Sequence, residues 1–186
     1  SGSYMFHDRH PAGPGPEAYA TARYEMPNCS ARMDNLRAAL LRPQLALLAD
    51  RAQRWNERYR IVEDGLREVP GLATVPRDPR EGFVGSSIQF RLPGRDAASI
   101  ADLVARCAAR GVELKWFGAA EPTGFTSRHD SWRYAPPQRL PRTDRVLATL
   151  LDMRLPLTFS PDDCRLIARN IAGEVASNRA ANRLGV

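Results

Sequence analysis

The segment from Asn28 to Pro70 constrains the fold more than any other, because it carries one long helical pattern. Apolar residues recur in it at steps of three, four and eight, on one face of an α-helix: Leu36, Leu40, Leu48, Ala52, Trp55, Tyr59, Val62 and Leu66. Pro43 interrupts the pattern, and an interior proline costs about 3 kcal/mol. We therefore expect a kink or restart at Arg42–Pro43, with Pro43 opening the second segment, and an end at Pro70–Gly71.

The start of this helix holds three groups that can bind an anion. Asn28 offers an amide, Ser30 a hydroxyl and Arg32 a guanidinium. A helix start adds unpaired backbone N–H groups and the positive end of the helix dipole, and arginine matches the oxygens of a phosphate. Ser30 is predicted to be the N-cap, with Asp34 in the first turn. The segment predicts a phosphate site; the alternative is a simple helix cap with a surface arginine.

The remainder of the chain alternates between predicted strands and helices. We predict strands over Leu72–Val75 and Ser86–Leu92, a helix capped by Asp96 and running to Arg110, a strand over Val112–Phe117, a helix over Thr143–Leu151, a strand over Met153–Leu157 and a helix from Ser160 to about Ala176. Gly118–Arg142 is an irregular stretch, of a length usual for functional or mobile loops. The pattern predicts an α/β (α+β) fold, a small sheet with helices packed against it and a long kinked first helix.

The two ends of the chain lack this regularity. Residues 1–27 hold several prolines and glycines without sustained periodicity, and are predicted to be an irregular connector or arm. The domain itself is expected to span 28–176, and 177–186 to form a frayed tail. His7 and His10 lack further ligands at metal spacing, so we predict no metal site. The chain begins with Ser1, which suits a processed protein or the later part of a longer polypeptide.

The composition argues against several classes of protein. With 43% hydrophobic and 26% charged residues, it is typical of a folded globular domain. The net charge is +6, but the arginines are spread along the chain among acidic residues, so no nucleic-acid interface is predicted. No apolar run approaches the roughly 20 residues of a membrane span, and no signal peptide is visible. We predict a cytoplasmic protein without membrane contact, with Cys29, Cys107 and Cys164 as reduced thiols.

The run Asn-x-Ser-Ala-Arg-Met-Asp-Asn-Leu-Arg-Ala-Ala at 28–39, followed by a long helix, resembles the start of the C-terminal domain of DegT/StrS-type sugar aminotransferases. These are fold-type I enzymes that use pyridoxal phosphate (PLP), and the resemblance continues to about Val175. It implies a homodimer in which the segment resembling 28–33 reaches the PLP phosphate of the partner protomer. Family members usually have Asn two residues before the Arg-Met pair, where this chain has Ser30, so either Asn28 or Ser30 would make the contact beside Arg32.

The resemblance also implies an activity and its division between domains. The reaction would move an amino group from an amino acid to a keto sugar, cyclitol or similar carbonyl compound. The Schiff-base lysine and the carboxylate that holds the pyridine nitrogen belong to the family's large N-terminal domain. We expect that domain upstream or as a separate chain, and no catalytic residue here. Lys115, the only lysine, is predicted to contact substrate from the edge of the site, together with His129 and Arg133 of the long loop.

Other functions stay open from the sequence alone. Relatives with this fold also perform dehydration, decarboxylation or oxidation with PLP. A chain without the large domain could instead be a non-catalytic binding or scaffold domain, and an arginine-rich nucleic-acid binder is the third reading. Trp116 and Phe117 are predicted to belong to the core rather than to a ligand platform.

Overall fold

The computed structural model describes residue 25, residues 33–121 and residues 129–184, with side chains through residue 177. In chain order the elements are α1 (Asn35–Leu45), α2 (Leu48–Arg67), β1 (Ala73–Thr74), β2 (Ser87–Arg91), α3 (Ala97–Ala109), β3 (Lys115–Trp116), α4 (Pro141–Leu147), β4 (Leu150–Arg154) and α5 (Pro161–Leu184). A 3-10 turn covers His129–Ser131. The predicted mixed fold, a small sheet with helices packed against it, is confirmed.

The strands form one antiparallel sheet in the order β1-β2-β4-β3. At its centre Phe90 lies opposite Leu151 and Ile88 opposite Met153, and all four are buried. Alternate residues of a strand point to opposite faces, so the row next to them, which includes Asp152, lies on the other face. The sheet therefore has one apolar face and one polar face.

The core lies between the apolar face of the sheet and the helices α2, α3 and α5. Its fully buried members include Tyr59, Val62, Leu66, Ile88, Phe90, Ile100, Leu103, Leu151, Leu155, Ile171 and Val175. Helices α2 and α5 approach each other closely at Gly65. A Cβ atom added at this glycine would lie only 2.7 Å from the Cβ of Ala168. The glycine thus sets the distance between the two longest helices.

The first helical segment differs from its prediction at both its start and its break. Asp34, not Ser30, caps α1: its carboxylate accepts a hydrogen bond from the Arg37 backbone N–H at 2.8 Å. Pro43 does not open a new helix but lies inside α1, and the break comes at residues 46–47. Proline removes only its own backbone N–H, so the N–H groups of the residues after it can still donate to carbonyls of the preceding turn. The helix then ends within one turn after Pro43.

The helix α3 follows its prediction, whereas the next predicted strand is shorter. Asp96 caps α3 by accepting from the Ser99 backbone N–H at 2.8 Å, and Gly111 with φ 77° follows the end of the helix. Of the predicted strand Val112–Phe117, only β3 forms the ladder, opposite β4. The other buried residues of the segment pack without strand pairing.

The region of α4 and β4 was predicted incorrectly. The predicted helix Thr143–Leu151 lies at Pro141–Leu147, and the predicted strand Met153–Leu157 lies at Leu150–Arg154. The reason is the partner strand: Leu151 pairs opposite Phe90 at the centre of the sheet and is fully buried there. This burial outweighs the local helical pattern.

The last helix begins as predicted but runs further. The Ser160 hydroxyl accepts from the Asp163 N–H at 3.1 Å, and the Asp163 carboxylate accepts from the Ser160 N–H at 2.8 Å, a reciprocal capping arrangement. The helix then continues through Leu184 instead of fraying near Ser177. None of the helices in the described ranges has the length and apolar character that crossing a bilayer requires.

Two of the cysteines are described, and both are buried thiols without a disulfide partner, as predicted for Cys107 and Cys164. Burial raises the pKa of the Cys107 thiol to about 11, and burial also raises the pKa of Cys164. A thiol that stays protonated is a weak nucleophile. Cys29 lies outside the described residues.

Candidate functional site

The predicted phosphate site at Asn28, Ser30 and Arg32 lies outside the described residues, but the helix that follows it is described. Every residue of α1 is exposed. Its leucines keep large exposed fractions, 71% for Leu36 and 60% for Leu40. The neighbouring apolar residues Met33, Leu41, Leu45, Leu47 and Leu48 are exposed as well. Exposed apolar side chains grouped in this way are typical of a surface that another polypeptide covers.

Lys115 lies on the polar face of the sheet. It stands opposite Asp152 in the β3–β4 ladder, whereas its neighbour Trp116 stands opposite the buried Leu151 and packs against the core. The Lys115 Nζ lies 4.9 Å from the centroid of the Phe117 ring. Burial lowers the pKa of this lysine below its ordinary value, an effect that the nearby Asp152 carboxylate partly offsets and Arg154 reinforces. Lys115 is thus a half-buried residue on the edge strand β3, and its contact with substrate stays a prediction.

His129 borders a cavity of about 580 Å³ between the end of β3 and α4. Its Nε2 lies 2.6 Å from Oδ1 of Asp144. The His129 side chain is only 15% exposed, whereas that of Asp144 is 58% exposed. A carboxylate that holds one ring nitrogen fixes the orientation of the imidazole.

The floor of this cavity is set by a close approach of backbone segments. A Cβ atom at Gly118 would lie 2.7 Å from Nε1 of Trp116 and 2.8 Å from the Cα of Ala148, so only glycine fits without a shift. Trp116 Nε1 donates to the Ala148 carbonyl at 2.9 Å. These contacts hold the chain after β3 against the end of α4 and leave Phe117 on the cavity wall. The prediction that Phe117 belongs to the core is therefore wrong, while that for Trp116 is confirmed.

Arg133 does not line this cavity. Its Nη1 lies 2.6 Å from Oε1 of Glu25, so it connects the loop to a residue far away in the sequence. Trp132 and Tyr134 stack beside it with ring centroids 5.8 Å apart. Of the predicted substrate residues, Lys115 lies against the Phe117 ring and His129 lines the cavity that Phe117 also lines, whereas Arg133 is not among the lining residues.

Sequence reasoning did not identify Asp144 or Arg139, which also line the cavity. Asp144 is 15 residues away from His129, a spacing that no helix or strand periodicity connects. Arg139 falls in a proline-rich stretch with no motif. No local signal in the sequence could have joined these residues to His129.

The fold is one that this chain shares with aminotransferases of fold type I. A sequence profile of the DegT/DnrJ/EryC1/StrS aminotransferase family matches residues 12–172, and the chain belongs to this family. Aminotransferases of this family are PLP enzymes. No curated protein sequence matches the chain significantly.

Solved structures share this fold at low sequence identity. The aminotransferase TlmJ from Streptoalloteichus hindustanus has a TM-score of 0.65 and 20% identity, and the match covers 88% of this chain and 46% of that chain. For 3-amino-5-hydroxybenzoic acid synthase the TM-score is 0.62 at 21% identity, covering 87% and 47%. A DegT DnrJ EryC1 StrS aminotransferase from Brucella abortus has a TM-score of 0.58 at 16% identity, covering 85% and 43%. The chain spans about half the length of these proteins.

Proposed function

We propose that this chain forms the C-terminal portion of a cytoplasmic PLP-dependent aminotransferase that moves an amino group from glutamate or glutamine to a keto sugar, cyclitol or similar carbonyl compound. The observation that carries the proposal is the family match, which extends from residue 12 through the first half of α5. The large domain with the Schiff-base lysine lies upstream or on a separate chain, and the active unit is a homodimer.

In this proposal, Arg32 and either Asn28 or Ser30 bind the PLP phosphate of the partner protomer. Charged hydrogen bonds from an arginine suit phosphate oxygens. The exposed leucines of α1 support an interface at this point, because they begin directly after the phosphate-binding segment. Bound PLP supplies the electron sink for the amino transfer.

The remaining predicted residues contact substrate in this proposal. Lys115 contributes a half-buried cation beside an aromatic ring, and His129 a fixed imidazole at the cavity. Arg133 and the stacked Trp132 and Tyr134 extend the surface along the loop. Their role is to orient the carbonyl compound and the amino donor, since the reacting lysine is contributed by the large domain.

The experiment uses the complete polypeptide, or the assembled pair where the upstream half is a separate chain. We expect a yellow chromophore that absorbs between about 320 and 430 nm and is reduced by borohydride, as PLP bound to a lysine requires. Arg32→Gln should weaken PLP binding about tenfold or more, because it removes a charged phosphate contact. Arg42→Gln on α1 is the matched control and should leave PLP affinity unchanged. A colourless protein that does not take up added PLP would overturn the proposal.

A further inference from the structure

The cavity beside His129 presents more free hydrogen-bond donors than free acceptors. Of its two carboxylates, Asp144 is engaged by His129 Nε2 at 2.6 Å, and Asp130 also has an interaction partner. The Arg139 guanidinium and the Gln138 amide have no hydrogen bond or ion pair within the described ranges. Arg139 offers only donors, and the Gln138 amide offers two donors and one acceptor, so unpaired donors outnumber unpaired acceptors on these two side chains and favour a ligand with anionic oxygens.

Arg139 is the strongest of these donors. It lies on the cavity wall immediately before α4, and its guanidinium can bind a carboxylate or phosphate with two parallel hydrogen bonds. Phe117 and Leu147 provide apolar wall in the same cavity, along which the carbon skeleton of a ligand can lie. The volume of about 580 Å³ is in the range of small-molecule sites.

Asp144 lines the cavity and also holds the His129 ring. It holds Nε2 of the ring, and Nδ1 has no partner within the part of the chain that the structure describes. A histidine fixed at one nitrogen by a carboxylate presents the other nitrogen in a defined direction. Asp144 is therefore a positioning residue, and the charged groups that line the cavity around the ring are Asp130, Arg139 and Asp144 itself.

We propose that this cavity is a binding subsite for the anionic group of a small organic ligand, a carboxylate or a phosphate, bound by Arg139 and by His129 held in place by Asp144. The inference rests on the proposed function, since it gives one reactant of the amino transfer a charged anchor in this domain. It assigns Arg139 and Asp144 roles that the family likeness alone does not.

The test is a titration of the full chain followed by NMR, with L-glutamate, inorganic phosphate and glucose as separate probes. Glutamate or phosphate should give saturable shifts in the signals of Phe117, Gly118 and Arg139, and the relative affinities of the two distinguish a carboxylate from a phosphate site. Arg139→Gln should weaken the binding about tenfold, as expected for a lost charged hydrogen bond. Arg145→Gln, an exposed arginine on α4 outside the cavity lining, is the matched control and should change the affinity less than about twofold.

Asp144 is tested by a second pair of variants. Asp144→Asn should weaken anion binding several-fold and move the ¹⁵N signals of the His129 ring while the melting temperature stays unchanged, and Asp144→Glu should restore part of the affinity. A purely structural Asp144 would lower the melting temperature in both variants, which would overturn its positioning role.

Three results would overturn the subsite itself: no saturable shifts with either anion, equal losses for Arg139→Gln and Arg145→Gln, or saturable binding of glucose alone. These titrations need no PLP, so their failure leaves the absorbance test of the aminotransferase proposal unaffected. Conversely, a colourless complete protein that still binds the anions at Arg139 would remove the aminotransferase proposal and keep the subsite.

Discussion

Helices α1 and α2 come from one continuous helical pattern in the sequence, yet they differ in burial. Helix α1 has no buried residue, whereas α2 buries Tyr59, Val62 and Leu66 against α5 and the sheet. Both segments carry arginines, and leucine is the commonest residue of α1. An apolar stripe therefore indicates which face of a helix is suited to burial. It does not indicate whether the same chain or another polypeptide buries that face.

Helix α2 is also attached by a buried polar contact that has no counterpart for α1 among the described residues. Arg58 is buried, and its Nε donates to the Phe159 carbonyl at 2.6 Å while its Nη1 donates to the Arg54 carbonyl at 2.8 Å. The guanidinium thus ties α2 to the turn before α5 and leaves few of its own donors unpaired. The described polar contacts of α1 are exposed ones, such as the Arg37–Asp34 ion pair and the hydrogen bond that Arg51 of α2 donates to Gln44 at 3.1 Å.

The largest expected effect tests this contrast with two leucines. Leu66→Ala should lower the free energy of unfolding by about 2–5 kcal/mol, because it leaves a cavity in a fully buried site. Leu36→Ala, at a position 71% exposed, should change it by less than about 0.5 kcal/mol. Urea denaturation of the isolated chain measures both. A large loss for Leu36→Ala would mean that α1 is covered within the isolated chain.

A smaller effect on the free energy of unfolding is expected from the charge cluster between α3 and α5. The cluster consists of Arg106, Arg110 and Glu174. The buried Glu174 accepts from Arg106 Nε at 2.7 Å and from Arg110. The hydrogen bond from Arg106 holds the pKa of Glu174 below its ordinary value of 4.5, with Arg110 adding to the effect against the cost of burial. Glu174→Gln should cost about 1–3 kcal/mol near neutral pH, because the two arginines lose their charged partner.

The sign of the pH dependence follows from this lowered pKa. The stabilisation is fully present above about pH 4.5, the ordinary value for the unfolded chain, and is lost as the pH falls through the lower folded-state pKa. Denaturation curves of the wild type and Glu174→Gln should therefore converge in acid. The exposed pair Arg165–Asp162 is the control, and Asp162→Asn should cost less than about 1 kcal/mol at any pH. A pH-independent gap for Glu174→Gln would contradict the assignment.

The smallest expected effect compares two aspartate caps of identical geometry. Asp96→Ala at the start of α3 should lower the free energy of global unfolding by about 1 kcal/mol. Asp34→Ala at the start of α1 should leave global unfolding unchanged and only speed hydrogen exchange of the α1 amides, because that helix contributes nothing to the described core. Equal effects of the two variants on global unfolding would show that α1 unfolds together with the core.

Much of the fold was predictable from local patterns. The helix capped by Asp96, the strand that holds Ile88 and Phe90, and the start of the last helix at Ser160 were all predicted and are confirmed. Each depends on hydrogen bonds or periodicity within a few residues. The Ser30 cap and the restart at Pro43 were wrong because several nearby residues could serve either role, and the sequence alone does not rank them.

The candidate site was predictable only in part. The phosphate segment Asn28–Arg32 was predicted from its own residues and remains a prediction, whereas the cavity depends on contacts between distant segments. The sequence by itself determined the order of helices and strands, because short-range hydrogen bonding and the spacing of apolar side chains are local properties. The tertiary structure alone decided that Leu151 becomes strand, that Asp144 meets His129 and that α1 stays uncovered, because each requires packing against residues far away in the chain.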